Sequence, residues 1–188
     1  MNKPKFAGSL VRRPLLAAAL AASAVAPAPA MAAFDIFLKL DDVKGESQDS
    51  KHKDWIELFS YSEGVSQVSV GVGNGAARAA TNPKCSSFNA QKLFDRASPA
   101  LLAAAMTGQH FSKGEVNFVH ADSDGQVFLK LELNDVLVSS IQQSGSTGGD
   151  RAPSESVSLN FSSVKVTYRP QKDDGTGGDP VITSVVCP

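Results

Sequence analysis

The chain has 188 residues, 42% of them hydrophobic and 20% charged, with a formal net charge of −1. That apolar content and near-neutral charge exclude an extensively disordered chain and leave enough material for one good core. The charge becomes more acidic without the first 32 residues, which hold four basic residues and no acidic one. Residues 33–188 then carry 14 basic against 19 acidic residues, net −5, a balance that argues against nucleic acid or an anionic membrane as partner.

Residues 1–32 have the three-part anatomy of an export signal. Lys3, Lys5, Arg12 and Arg13 form a basic start, "PLLAAALAASAVA" an apolar middle, and "AMA" a small-residue cleavage site. The middle is too short and too weakly apolar to span a bilayer. The expected cut lies between Ala32 and Ala33, with Ala30 as the alternative, leaving a single domain over 33–188. Arg12-Arg13-Pro14-Leu15-Leu16 also fits a loose twin-arginine pattern, so the export route stays open.

After the signal the chain reads as strands. Phe34, Ile36, Leu38 and Leu40 alternate with Asp35, Phe37 and Lys39, predicting a strand with one buried face. Residues 41–53 are a polar arm with little to bury. "DWIELFSYS" predicts a second strand, Ile56 and Leu58 on one face, Trp55, Glu57, Phe59 and Tyr61 on the other. "VSQVSV" is a short third, followed by the Gly- and Ala-rich loop "GVGNGAARAATNP". "SFNAQKLFDRA" is compatible with a helical turn or two. "SPALLAAAMTG" is a better helix, with Ser98 as N-cap, Pro99 at the first helical position and Gly108 just past the end.

"GEVNFVHAD" and the turn signal "DSDG" lead into "QVFLKLELNDVLVSS". Its apolar parity flips at Asn134-Asp135, as a bulge or a sheet corner would require. Val157, Leu159 and Phe161 followed by Val164, Val166 and Tyr168 repeat the flip at Ser162-Ser163. "QQSGSTGGDRAPSE" is an exposed linker, and "VITSVVC" a short apolar tail. The pattern predicts a mainly β domain, either a barrel or a tight sandwich, with one short helix.

Chemistry is sparse. His52, His110 and His120 share no element with ligand spacing to another His, Cys or acid. There is no G-x-S-x-G elbow, no phosphate loop and no recognisable cysteine nucleophile. Asp41-Asp42 and Asp173-Asp174 are adjacent loop acids, which are generally solvated. The reading is a non-enzyme without cofactor or metal. Cys85 and Cys187 form a disulfide if the chain is exported, or remain two buried thiols if it is not.

Several stretches together resemble the Hcp family, the hemolysin-coregulated tube proteins of bacterial type VI secretion. They are "FDIFLKLDDVKGES", "HKDWIELFSYSEGVSQ", "LNDVLVSS" and "ESVSLNFSSVKVTYRPQKDDG", with "SPALLAAAMTGQHF" where that family has its helix. The resemblance covers essentially all of residues 33–188. It implies a small closed β-barrel of two antiparallel sheets with one short helix, assembling into homohexameric rings, which stack into a tube and hold small effectors as cargo. It also implies that Asp42, Val43, Lys44, Gly45, Glu46, Ser47 and His52 form an assembly arm reaching a neighbouring subunit or ring. The chain departs from the family pattern in its export signal and in the ending "DPVITSVVCP". Three functions follow as alternatives: an exported, periplasmic or secreted ring protein; an ordinary cytoplasmic tube subunit translated from Met31; or a secreted effector with an unrecognised hydrolase activity.

Overall fold

The computed structural model describes residues 34–67, 69–70, 79–80, 83–121, 125–148 and 152–187. The export signal, with Ala32 and Ala33, lies outside the described residues, as do most of "GVGNGAARAATNP" and the middle of "DSDG".

Thirteen strands and one helix are described. Strand β1 (Phe34–Leu40) is followed by β2 (Ile56–Leu58), β3 (Ser60–Ser62), β4 (Val65–Ser66), β5 (Ser69–Val70), β6 (Ala79–Ala80), β7 (Lys84–Cys85) and β8 (Phe88–Leu93). Helix α1 (Ser98–Thr107) comes next, then β9 (His110–His120), β10 (Val127–Ser144), β11 (Ser154–Asn160), β12 (Ser163–Tyr168) and β13 (Val181–Val186). Nine strands make one antiparallel sheet in the order β2-β1-β9-β10-β11-β8-β3, with β12 joining β10 and β13 joining β12. The short pairs β4-β7 and β5-β6 stand beside it.

The domain is mainly β with one helix, as the alternation requires. The ladder itself is an open path, not a closed circuit. Its two ends, β2 and β3, do not pair with each other but follow one another in the chain, separated by Phe59 alone. Ile56 and Leu58 are buried while Phe59 and Ser60 are exposed, and Tyr61 turns back to pack on Phe88 and Phe118. The expected single strand with Phe59 and Tyr61 on one face is therefore two strands with a change of face between them.

The long strand β10 keeps β9 along one edge while its other edge passes from β12 to β11. The handover falls at the parity flip. Leu131 and Leu133 are buried, Asn134 and Asp135 exposed, and Val136 and Val138 buried again, with Asp135 at φ 50°. That left-handed residue costs backbone energy and gives one edge a corner. The second flip splits the predicted strand into β11 and β12. Ser162 donates its N–H to Asn134 O at 3.0 Å, fastening the two corners together.

Residues 88–93 are strand β8, not the helical turn expected. Phe88 and Ala90 point inward, and the third inward position is Lys92. A lysine on the buried face hides the period-2 signal. The helix begins one residue after its N-cap, Ala97, not at a Ser98 cap. The Asp95 carboxylate accepts the Ala97 N–H at 2.9 Å just ahead of the helix, and no side chain caps the first turn. Gly108 ends the helix at φ 67°, in the left-handed cap position that favours glycine.

The core runs through both faces of the bend: Leu38, Leu40, Ile56, Phe88, Leu101, Phe118, Leu131, Leu133 and Leu159 are all buried. The helix closes one side of it with Leu101 and Ala104.

Candidate functional site

The polar arm is a folded lobe. It opens at Asp41, left-handed at φ 37°. The Asp41 carboxylate accepts the Ser112 N–H at 2.7 Å, the Ser112 hydroxyl at 3.0 Å and the Lys113 N–H at 3.0 Å. Burial opposes its ionisation, but these bonds and the Lys113 charge hold its pKa below the ordinary value.

The chain then doubles back. Gly45 donates its N–H to Asp54 O at 2.8 Å, Ser47 to Trp55 O at 3.0 Å, and Asp54 to Ser47 O at 3.0 Å. Gly45 is packed so closely that a Cβ there would lie 2.3 Å from Trp55 O. No side chain fits without moving the backbone.

Asp49 closes the tip. Its Oδ1 accepts the N–H groups of Lys51 at 2.9 Å and His52 at 2.8 Å, and the His52 ring at 2.7 Å. Although partial burial works against it, the His52 ring bond and the two backbone donors keep the Asp49 carboxyl below its usual pKa. The His52 ring lies flat on Phe37, centroids 4.5 Å apart and planes within 1°, and meets Trp55 edge-on. Its other nitrogen faces Asn117 Nδ2 at 3.1 Å. Arg96, just before the helix, ties the lobe down by donating to Gly45 O at 2.6 Å and Asp54 Oδ1 at 3.0 Å.

The residues assigned to an assembly arm thus separate into two groups. Gly45, Ser47 and His52 are buried within the protomer. They hold the lobe's shape, His52 also covering Phe37, and being buried they offer little surface to a neighbour. Asp42, Lys44 and Glu46 are exposed, and Val43 is half-buried against the core. The signal for the buried role was present in the sequence: Phe37 is a large apolar residue on the face of β1 that alternation assigns to solvent, and it needs a cover.

A second polar cluster was invisible to motif reading. Lys92 and Glu155 are fully buried neighbours on β8 and β11, Nζ to Oε2 2.8 Å. Lys92 also reaches Asp95 at 2.8 Å, Ser98 Oγ at 2.9 Å and Leu93 O at 2.7 Å. The Ser98 hydroxyl donates to Glu155 Oε2, and Gln143 Nε2 to Oε1 at 2.7 Å. Burial disfavours the charged carboxylate, yet the bonds from Lys92, Ser98 and Gln143 outweigh it and lower the Glu155 pKa. Every polar atom is satisfied, and the cluster locks the start of α1 to β8, β11 and β10. It is closed to solvent and built for position rather than reaction.

Cys85 and Cys187 are bonded, Cα atoms 5.5 Å apart and 102 residues apart in sequence. Cys85 sits opposite Val65 in the β4-β7 pair, and Cys187 donates its N–H to Ser162 O at 2.8 Å. The bridge fastens the end of β13 to the small hairpin. Of the remaining histidines, His110 pairs with Asp135 at 2.7 Å on the surface, and His120 stacks on Phe128. Among the described residues no group of three His, Cys, Asp or Glu side chains is placed to hold a metal.

The sequence matches the family described as type VI secretion system effector, Hcp, over residues 37–168. It is 40% identical over 152 residues to protein hcp1 of Pseudomonas aeruginosa, covering 79% of this chain and 92% of that one. A solved type six secretion system protein superposes with TM-score 0.76 at 34% identity, covering 79% of this chain and 92% of its own. Hcp1 from Salmonella typhimurium superposes with TM-score 0.67 at 30% identity, covering 82% and 95%.

Proposed function

Because the chain belongs to the Hcp family of type VI secretion proteins, we propose that it is a non-enzymatic ring-forming subunit. Residues 33–188 form the assembling domain, and six copies close a ring able to carry small effectors. The observation that carries this reading is the match across nearly the whole β domain. The exposed Asp42, Lys44 and Glu46 are the part of the lobe that contacts a neighbouring subunit. Gly45, Ser47 and His52 shape that surface from beneath.

We further infer export, with residues 1–32 removed. The Cys85–Cys187 bridge supports this, since such bonds persist in oxidising compartments. The other reading is translation from Met31 and assembly in the cytoplasm; the same bridge weighs against it. Negative-stain electron microscopy of the purified protein tests the ring, where sixfold class averages are expected and dispersed single domains contradict it. N-terminal sequencing of protein from fractionated cells tests export: Ala33 outside the cytoplasm supports it, and an intact Met1 or Met31 in the cytosol rejects it.

A further inference from the structure

The two ends of the nine-stranded sheet diverge at one place. Phe59 donates its N–H to Gln91 O at 3.0 Å, and from there β3 runs beside β8. On the other side of Phe59, β2 follows β1, while β8 continues to Leu93 with β11 as its one ladder partner among the described residues. Between them lies a groove of about 570 Å³, bounded by β2, the end of β8 and the arm lobe.

Its chemistry is one-sided. Five carboxylates line it and no lysine or arginine does, among the described residues. Three are occupied: Asp95 by Lys92, Asp49 by His52, and Glu46 by the Arg96 N–H. The other two, Asp35 and Glu57, are exposed and have no ion-pair partner among the described residues. They stand close on one face, because Glu57 is in register with Phe37 and Asp35 is two residues along from it. Beside them Phe59 is 59% exposed and Phe94 41% exposed. Two aromatic rings left in water next to two carboxylates that have no ion-pair partner among the described residues are an unfinished arrangement. Ammonium and guanidinium groups complete it, through ion pairs and through attraction to the ring faces, while an aliphatic stem covers the rings.

We propose that this groove binds a cationic, apolar polypeptide segment, its Lys or Arg heads on Asp35 and Glu57 and its apolar side chains on Phe59 and Phe94. It gives the protein a partner chosen by charge.

The test is fluorescence anisotropy on the purified protein with three labelled dodecapeptides: alternating Lys and Leu, alternating Glu and Leu, and alternating Lys and Ser. The Lys-Leu peptide saturates, at least tenfold tighter than either control, and weakens at least tenfold between 0.05 and 0.5 M salt, a loss on the order expected for screened surface charges. Asp35→Asn with Glu57→Gln weakens it at least tenfold and removes most of the salt dependence. Phe59→Ser reduces it to the level of the Lys-Ser peptide. Unchanged circular dichroism shows that these exposed substitutions leave the fold intact. Equal binding by the Glu-Leu peptide, undiminished binding by the double variant, or no saturable binding at all overturns the proposal. So does a fall in assembly mass for the double variant without peptide binding to the parent protein, which assigns the groove to contact between copies.

Discussion

Replacing Lys92 with Met leaves Glu155 as a buried carboxylate without its cation. Removing one partner of a buried pair costs about 3–5 kcal/mol. The Ser98 hydroxyl and the Gln143 amide still donate to Glu155, so the lower end of that range applies. With a urea slope of about 2 kcal/mol/M, a loss of about 3 kcal/mol lowers the unfolding midpoint by about 1.5 M. The second substitution discriminates: Lys92→Met with Glu155→Leu removes the fully buried stranded charge, leaving only the less buried Asp95 without its cation, and recovers part of the loss. The parent protein, both single variants and the double variant are compared by urea titration at one protein concentration, followed by circular dichroism. A midpoint shift below about 0.5 M for Lys92→Met, or a double variant no more stable than Lys92→Met, refutes the view that this cluster fixes the helix against the sheet.

Gly45→Ala forces a Cβ into Trp55 O and opens the arm lobe, so limited trypsin digestion at Lys51 and Lys53 accelerates at least tenfold while the core midpoint changes little; unchanged digestion contradicts the packing described. Reducing the Cys85–Cys187 bridge, which spans 102 residues, removes a constraint that chain-entropy arguments rate at about 4–5 kcal/mol as an upper figure. Because β13 keeps its ladder to β12, a fall of about 2–4 kcal/mol is expected in urea titrations with and without reductant, and an unchanged midpoint is the contrary result. The carboxyls of Asp41, Asp49 and Glu155 all have folded pKa values below their ordinary ones. Their contribution is therefore present at neutral pH and is lost as pH falls through and below the ordinary carboxylate range; stability that holds level from pH 6 to pH 3 would contradict those bonds.

Parts of this fold were legible in the sequence because the physics there is local. Alternation marked β1, and the parity flips at Asn134-Asp135 and Ser162-Ser163 marked two corners, since a bend changes which neighbour faces the core. The flip at Phe59 was not legible: Phe59 and Tyr61 are both aromatic, and period 2 places them together. Strand β8 was misread because Lys92 occupies an inward position that composition assigns to solvent, and its partner Glu155 is 63 residues away. The arm left one local signal, Phe37 on the solvent-assigned face of β1, but nothing local showed which residues cover it. Ser47 and His52 sit in a polar run, and only the three-dimensional return of the chain over Phe37 buries them. The helix boundary shifted by one residue because the Ser98 side chain is committed to Glu155 and Lys92 and does not cap the helix.

The account's central claim, that this domain is a ring-forming subunit, is tested most directly by the solution mass of the purified protein, measured by multi-angle light scattering across a wide concentration range. A closed cyclic assembly gives one mass, six times that of a single copy, unchanged on dilution until the assembly dissociates. A single-copy mass that persists at high micromolar concentration, or a mass that climbs continuously without a plateau, contradicts it.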